Sequence, residues 1–154
     1  MNRIQKLFSE PKEILIPFLT AGYPELESTV DMICAVADAG ADLIEIGIPF
    51  SDPQADGPVI QASSQLALEN GVTLKLIFQQ VAEIRNRTNV PLALMGYYNP
   101  ILAYGVDSFI HQAASVGVNG LIIVDLPPEE GASVKKQCVE NNLDLVMLLT
   151  PTST

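Results

Sequence analysis

Five short runs rich in Ile, Leu and Val, at residues 14–19, 42–48, 91–95, 120–124 and 144–148, are separated by stretches with helical periodicity. This alternation limits the possible folds more than any other property of the chain. Strands that return through a helix run parallel, and a parallel sheet is covered on its faces. Its strands therefore read as near-continuous apolar runs. Helices are expected over 2–8, 25–39, 58–69, from Thr73 through Ile84, over 107–116 and from 125 to 141. The spacing of Val30, Ile33, Cys34 and Ala37, and of Leu74, Ile77, Val81 and Ile84, carries two of them. Gly40 and Gly71 supply helix stops and Thr73 a helix cap, while Pro151 and a polar tail follow the fifth strand. Two architectures fit five such repeats: an open doubly wound sheet, or part of a closed (β/α)8 barrel, the TIM barrel.

Glu45 favours the barrel. Period-two alternation places Ile44, Ile46 and Ile48 on one face of its strand and Leu43, Glu45 and Gly47 on the other. A carboxylate among such neighbours is costly to bury without a partner, so it raises its pKa or finds a hydrogen bond. The alternatives are an edge strand facing solvent or a Lys or Arg partner. The flanking isoleucines and the lack of nearby basic residues argue against both. An acid held protonated near neutral pH is a proton donor, and the inward row of a barrel strand can carry such a group near its C-terminal end. Asp52 and Asp56 follow in the loop Pro49-Phe50-Ser51-Asp52-Pro53-Gln54-Ala55-Asp56-Gly57-Pro58. Alone, each reads as a turn residue, and Asp56 also as a cap for the helix starting near Pro58. Their place in the loop after the Glu45 strand makes them candidates to share a site with it.

Other chemistries find no support. His111 sits mid-helix and reads as a packing or surface residue, and no metal-ligand cluster, Walker loop or GxGxxG signature is present. No lysine lies at a strand end, where Schiff-base chemistry would want it. Asp125 reads as a turn or cap, and Tyr97 and Tyr98 follow the third strand, one placed to line a pocket. A net charge of −10 argues against nucleic acid and anionic membranes as partners, but leaves room for a phosphate held by backbone amides. No apolar run reaches the roughly 20 residues of a membrane-spanning helix. The start Met1-Asn2-Arg3-Ile4-Gln5-Lys6 has no signal-peptide core, so the expected location is the cytoplasm, or a plastid in a photosynthetic eukaryote. Cys34 and Cys138 are expected as buried thiols.

Three motifs go further. Pro17-Phe18-Leu19-Thr20-Ala21-Gly22-Tyr23-Pro24, the segment from Ile44 through Asp56-Gly57-Pro58-Val59-Ile60-Gln61, and Tyr97-Tyr98-Asn99-Pro100 together closely resemble the tryptophan synthase alpha chain family. The resemblance runs in order through all 154 residues. It implies a (β/α)8 barrel and a lyase that cleaves indole-3-glycerol phosphate to indole and glyceraldehyde 3-phosphate in tryptophan biosynthesis. It also implies no cofactor of the chain's own, and a beta-chain partner, carrying pyridoxal phosphate, in an alpha2-beta2 type complex. By motif position Glu45 resembles the family's general acid–base, and Asp56 the carboxylate that stabilises charge at the indole nitrogen. Phe18, Ile60, Met95 and Tyr97 resemble indole-pocket positions, and Pro49, Asp52 and Pro53 lie in the loop that resembles the one signalling to the beta chain.

A complete barrel needs roughly 250 residues, so a single domain over 1–154 is expected, an incomplete barrel of about five βα units. The family's loops after strands six to eight, which close the site and hold phosphate, lie outside this sequence. The isolated chain is therefore expected to be inactive. Its first and fifth strands should form open edges that invite self-association or binding to the beta chain.

Overall fold

The structure is a computed structural model that describes residues 1–9, 11–149 and 151. The polar tail at 152–154 lies outside the described residues. The elements follow in the order α1 (Arg3–Leu7), β1 (Phe18–Thr20), α2 (Ser28–Asp38), β2 (Ile44–Gly47), α3 (Pro58–Glu69), α4 (Leu74–Arg87), β3 (Leu92–Gly96), α5 (Tyr98–Tyr104), α6 (Val106–Ser115), β4 (Gly120–Ile123), α7 (Ala132–Glu140) and β5 (Asp144–Val146). The strands form one sheet in sequential order, every neighbouring pair parallel.

The two faces of that sheet bear out the barrel favoured by Glu45 over the doubly wound alternative. One row of strand residues, Ile44, Ile46, Leu92, Leu94, Leu121 and Ile123, packs in a single apolar core with residues of α2 through α7, among them Ile33, Ile77, Val81, Phe109 and Cys138. The alternate row, Leu43, Ala93 and Ile122, forms a separate small apolar cluster with Ile4 and Leu7 of α1 and with Met95. A doubly wound sheet carries helices on both faces and reverses its strand order. Helices on one face of a sequentially ordered parallel sheet are the arrangement of a barrel wall, whose other face looks inward.

At the N-terminal ends of the strands, α1 forms a floor under the inward face. The Asn2 side chain accepts from the Ile4 and Gln5 amides, and the Gln5 side chain accepts from the Asn2 amide, a capping box that starts the helix. The Asn2 amide group also donates to the carbonyls of Asn119 (3.2 Å) and Asn142 (3.3 Å), and Gln5 Nε2 donates to Asp144 Oδ1 at 2.7 Å. Ile4 reaches the wall because position 120 is glycine: a Cβ there would lie 2.7 Å from Ile4 Cδ1. Beside this floor Arg85 donates to the carbonyls of Gly117 and Val90 and to Asn119 Oδ1. Burial, with the nearby charge of Arg3, pushes its pKa down to about 10.

Most boundaries agree closely with the periodicity, and several that differ can be traced to local causes. β1 starts at Phe18 rather than residue 14; Leu15 is 61% and Ile16 39% exposed along the sheet edge, and Pro17 has no N–H to donate. The first helix after it begins at Ser28, following a turn in which the Ser28 amide donates to the Glu25 carbonyl. α7 begins at Ala132 rather than 125, because Pro127-Pro128 disfavours helix at the residue before each proline and the chain makes turns back to the Pro127 carbonyl instead. β5 ends at Val146, with Leu148 exposed. One element, α5, falls where the sequence read as loop. Its first amide, Tyr98 N, is capped by Asp125 Oδ1 at 2.7 Å, a partner supplied from the next βα unit. Pro100 sits in its first turn, where a missing N–H costs no helical bond.

Ile46 is fully buried at the centre of the helix-facing core, whereas Val139 on α7 is 70% exposed. Ile46→Ala should lower the unfolding free energy by about 2–5 kcal/mol, and Val139→Ala should change it by less than about 0.5 kcal/mol, both read from urea midpoints. Asp125→Ala, which uncaps α5, should cost about 1 kcal/mol by the same measurement.

Candidate active site

The C-terminal ends of β1, β2 and β3 build the site, and their register sets its first row. Glu45 lies opposite Phe18 on one side and Ala93 on the other, and Gly47 lies opposite Thr20 and Met95. The Phe18 ring crosses Gly47 so closely that a Cβ there would meet it at 2.4 Å; no other residue at position 47 leaves the ring where it is. Glu45 is half-buried between Phe18 and Ala93. Among the described residues its carboxylate has no ion pair, and burial alone pushes its pKa above the ordinary glutamate value. The expected inward-facing, unpartnered acid is present. Both alternatives, the solvent-facing edge and the basic partner, fail: β2 is paired on both sides.

Tyr97 continues the inward row of β3 two residues beyond Met95 and is only 4% exposed. Its hydroxyl accepts from the Ala55 amide at 3.0 Å, and its ring lies 5.3 Å from that of Phe50. Burial first, then the neighbouring Asp56 charge, push the phenol's pKa up against the opposing effect of the Ala55 amide. Asp56 thus sits beside the Tyr97 hydroxyl, at the end of the loop from β2 to α3. It does not cap α3: the N-cap is Gly57, with Pro58 at the first helical position, and no side chain bonds the helix start. Instead the Asp56 carbonyl accepts from Gln61 Nε2 at 2.7 Å.

The remaining positions divide into two groups. Ile60 is half-buried in the first turn of α3, a helix tied to the end of β1 by the 2.8 Å hydrogen bond between Ser63 and Thr20 hydroxyls. Pro49 is buried and, with Phe50, Leu68, Val72, Leu74 and Pro100, lines a small cleft of about 240 Å³ that seats the start of the loop. Asp52 is exposed, its carboxylate accepting from the Ser51 hydroxyl, and Pro53 is half-buried. The loop therefore has a buried beginning, an exposed tip and a pinned end. Phe50, Ala55, Ser63 and Gln61 were not distinguished by the sequence, since each acts through a contact with a remote strand end or a backbone atom. Among the described residues no group of three or more His, Cys, Asp or Glu is arranged to hold a metal ion, and both cysteines are buried and free. Among the described residues no helix is long and apolar enough to cross a membrane.

A parallel sheet with helices outside, and an acid on the inward row near the strands' C-terminal ends, defines a barrel-type enzyme scaffold. Residues 4–154 match the family model of the tryptophan synthase alpha chain, and the chain belongs to that family. It is 51% identical over 157 aligned residues to the tryptophan synthase alpha chain of Citrifermentans bemidjiense, covering 99% of this chain and 59% of that one. The tryptophan synthase of Saccharomyces cerevisiae is 51% identical over 94% of this chain and 21% of its own length. Among solved structures, the alpha subunit from Legionella pneumophila superposes with a TM-score of 0.94 at 42% identity, over all of this chain and 61% of that one. The chain spans about three-fifths of the length of the bacterial alpha chains it matches.

The raised pKa of Glu45 has a consequence for stability. Because the folded state favours the neutral acid, the carboxyl's contribution is intact below the unfolded glutamate pKa and is lost as pH rises through the higher folded value. Glu45→Gln removes that dependence. Its stability relative to the parent should therefore be greater at pH 8 than at pH 4 in paired urea titrations.

Proposed function

We propose that the protein is the alpha subunit of tryptophan synthase, a carbon–carbon lyase that converts indole-3-glycerol phosphate to indole and glyceraldehyde 3-phosphate. The observation that carries this reading is Glu45: an acid on the inward face, without an ion-pair partner among the described residues, whose pKa is raised by burial. Cleavage requires a proton on the ring carbon that bears the glycerol chain, so that the carbon–carbon bond's electron pair can return to the ring. It also requires loss of the adjacent hydroxyl proton as the aldehyde forms. Glu45, whose burial favours the protonated form, delivers the first proton and assists removal of the second. Asp56 stabilises the positive charge that ring protonation places at the indole nitrogen. Phe18, Ile60, Met95 and Tyr97 supply apolar walls for the ring.

The reading needs no cofactor in this chain. Pyridoxal phosphate belongs to the beta chain, the proposed partner, and the loop carrying Pro49, Asp52 and Pro53 faces it. The solved complex from Pyrococcus furiosus, described as an alpha2-beta2 tryptophan synthase, is 42% identical and supports this assignment with a TM-score of 0.87. The cytoplasm is the compartment that goes with it.

The test is turnover in the complete alpha chain, assayed with the beta chain by indole release. Glu45→Gln should lower kcat by about 10²–10⁴-fold with substrate binding retained. Near-normal turnover in that variant would remove Glu45 from the role.

A further inference from the structure

The loop from β2 to α3 presents Asp56 at its far end, yet residues 51, 52, 54 and 55 are exposed and the loop's own hydrogen bonds are few. Its beginning is held by the Ile48 amide on the Met95 carbonyl at 2.7 Å. Between that point and the Gln61 bond to the Asp56 carbonyl, the side chain that reaches in is Tyr97. It arrives from the end of β3, a buried strand paired on both sides, so its position is set by the sheet rather than by the loop. The ring meets Phe50 at the loop's start, and the hydroxyl takes the Ala55 amide at the loop's end.

We propose that Tyr97 is a positioning residue that clamps the loop at both ends and sets the Asp56 carboxylate in the site. This deepens the lyase reading and rests on it for its catalytic consequence. A phenol that accepts from Ala55 N keeps its own proton to donate, and the Asp56 carboxylate beside it is the acceptor at hand. Burial keeps the phenol protonated, so the donor persists across the working pH range. The hydroxyl therefore does two things that a pocket wall does not. It fixes the backbone one residue before Asp56, and it orients the carboxylate by a charge-assisted bond. The aromatic ring alone suffices for the wall.

Tyr97→Phe separates these roles, since it retains the ring against Phe50 and removes only the hydroxyl. In the complete alpha chain, amide hydrogen exchange at Ala55 should speed up by about five- to tenfold, while exchange in β3 stays unchanged. In the lyase assay with beta chain, kcat should fall by about tenfold with KM for indole-3-glycerol phosphate altered less than about threefold. The double variant Tyr97→Phe with Asp56→Asn should be no slower than Asp56→Asn alone, because the hydroxyl acts through that carboxylate. Unchanged protection at Ala55, or losses that multiply in the double variant, would overturn the clamp. The exchange measurement decides the structural claim without turnover. A parent enzyme that releases no indole would defeat the lyase reading and leave the Ala55 result to decide the clamp.

Discussion

Parallel register is the constraint on which the rest depends. Because β1, β2 and β3 align Phe18, Glu45 and Ala93 side by side, one row of side chains is committed to the inward face together. The alternate row, Ile44 and Ile46 on β2 and Leu92 and Leu94 on β3, is committed to the helices. A one-residue slip of β2 would exchange the two, exposing two isoleucines and driving a carboxylate into the helical core. The cost of that exchange holds Glu45 in place more firmly than any hydrogen bond to its carboxylate would.

The same geometry explains why the site draws on two kinds of support. Glu45, Gly47, Met95 and Tyr97 stand on or immediately after paired strands, and the Phe18 ring is seated by the absence of a side chain at position 47. Asp56 has no such support from its own segment. It lies in a loop whose first residues are packed against Leu68, Val72 and Leu74, whose tip is exposed, and whose last residues are held from across the site by a tyrosine. The proposed proton donor thus stands on the wall, and the proposed charge stabiliser on a loop held by contacts from outside it.

Much of this was readable in the amino-acid sequence. The βα alternation, the inward face of Glu45 and the helix starting at Pro58 all came from period and from the chemistry of single residues. Glu45 and the motif resemblance already favoured the barrel over the doubly wound sheet; which face the helices cover, a property of packing and not of any local pattern, is what the structure added. α5 was missed for a related reason. Its first amide is capped by Asp125, 27 residues later in the chain, and nothing near Tyr98 announces a helix. Ala55 contributes through its backbone amide, which any residue but proline possesses, so no side-chain signal could have marked it. Motif resemblance supplied the reaction, whereas composition and periodicity supplied only an acid in an unusual place.

The floor under the barrel bears on how the chain comes to be folded. Asn2 completes its bonds with the carbonyls of Asn119 and Asn142, and Gln5 with Asp144. Five residues of helix are too few to persist alone in water, so α1 acquires its structure only once those acceptors exist. During synthesis α1 leaves the ribosome ahead of the strands it docks on, and must wait through nearly the whole of this sequence before it has anywhere to dock. An element made before the sheet is thus among the last of these to come to rest.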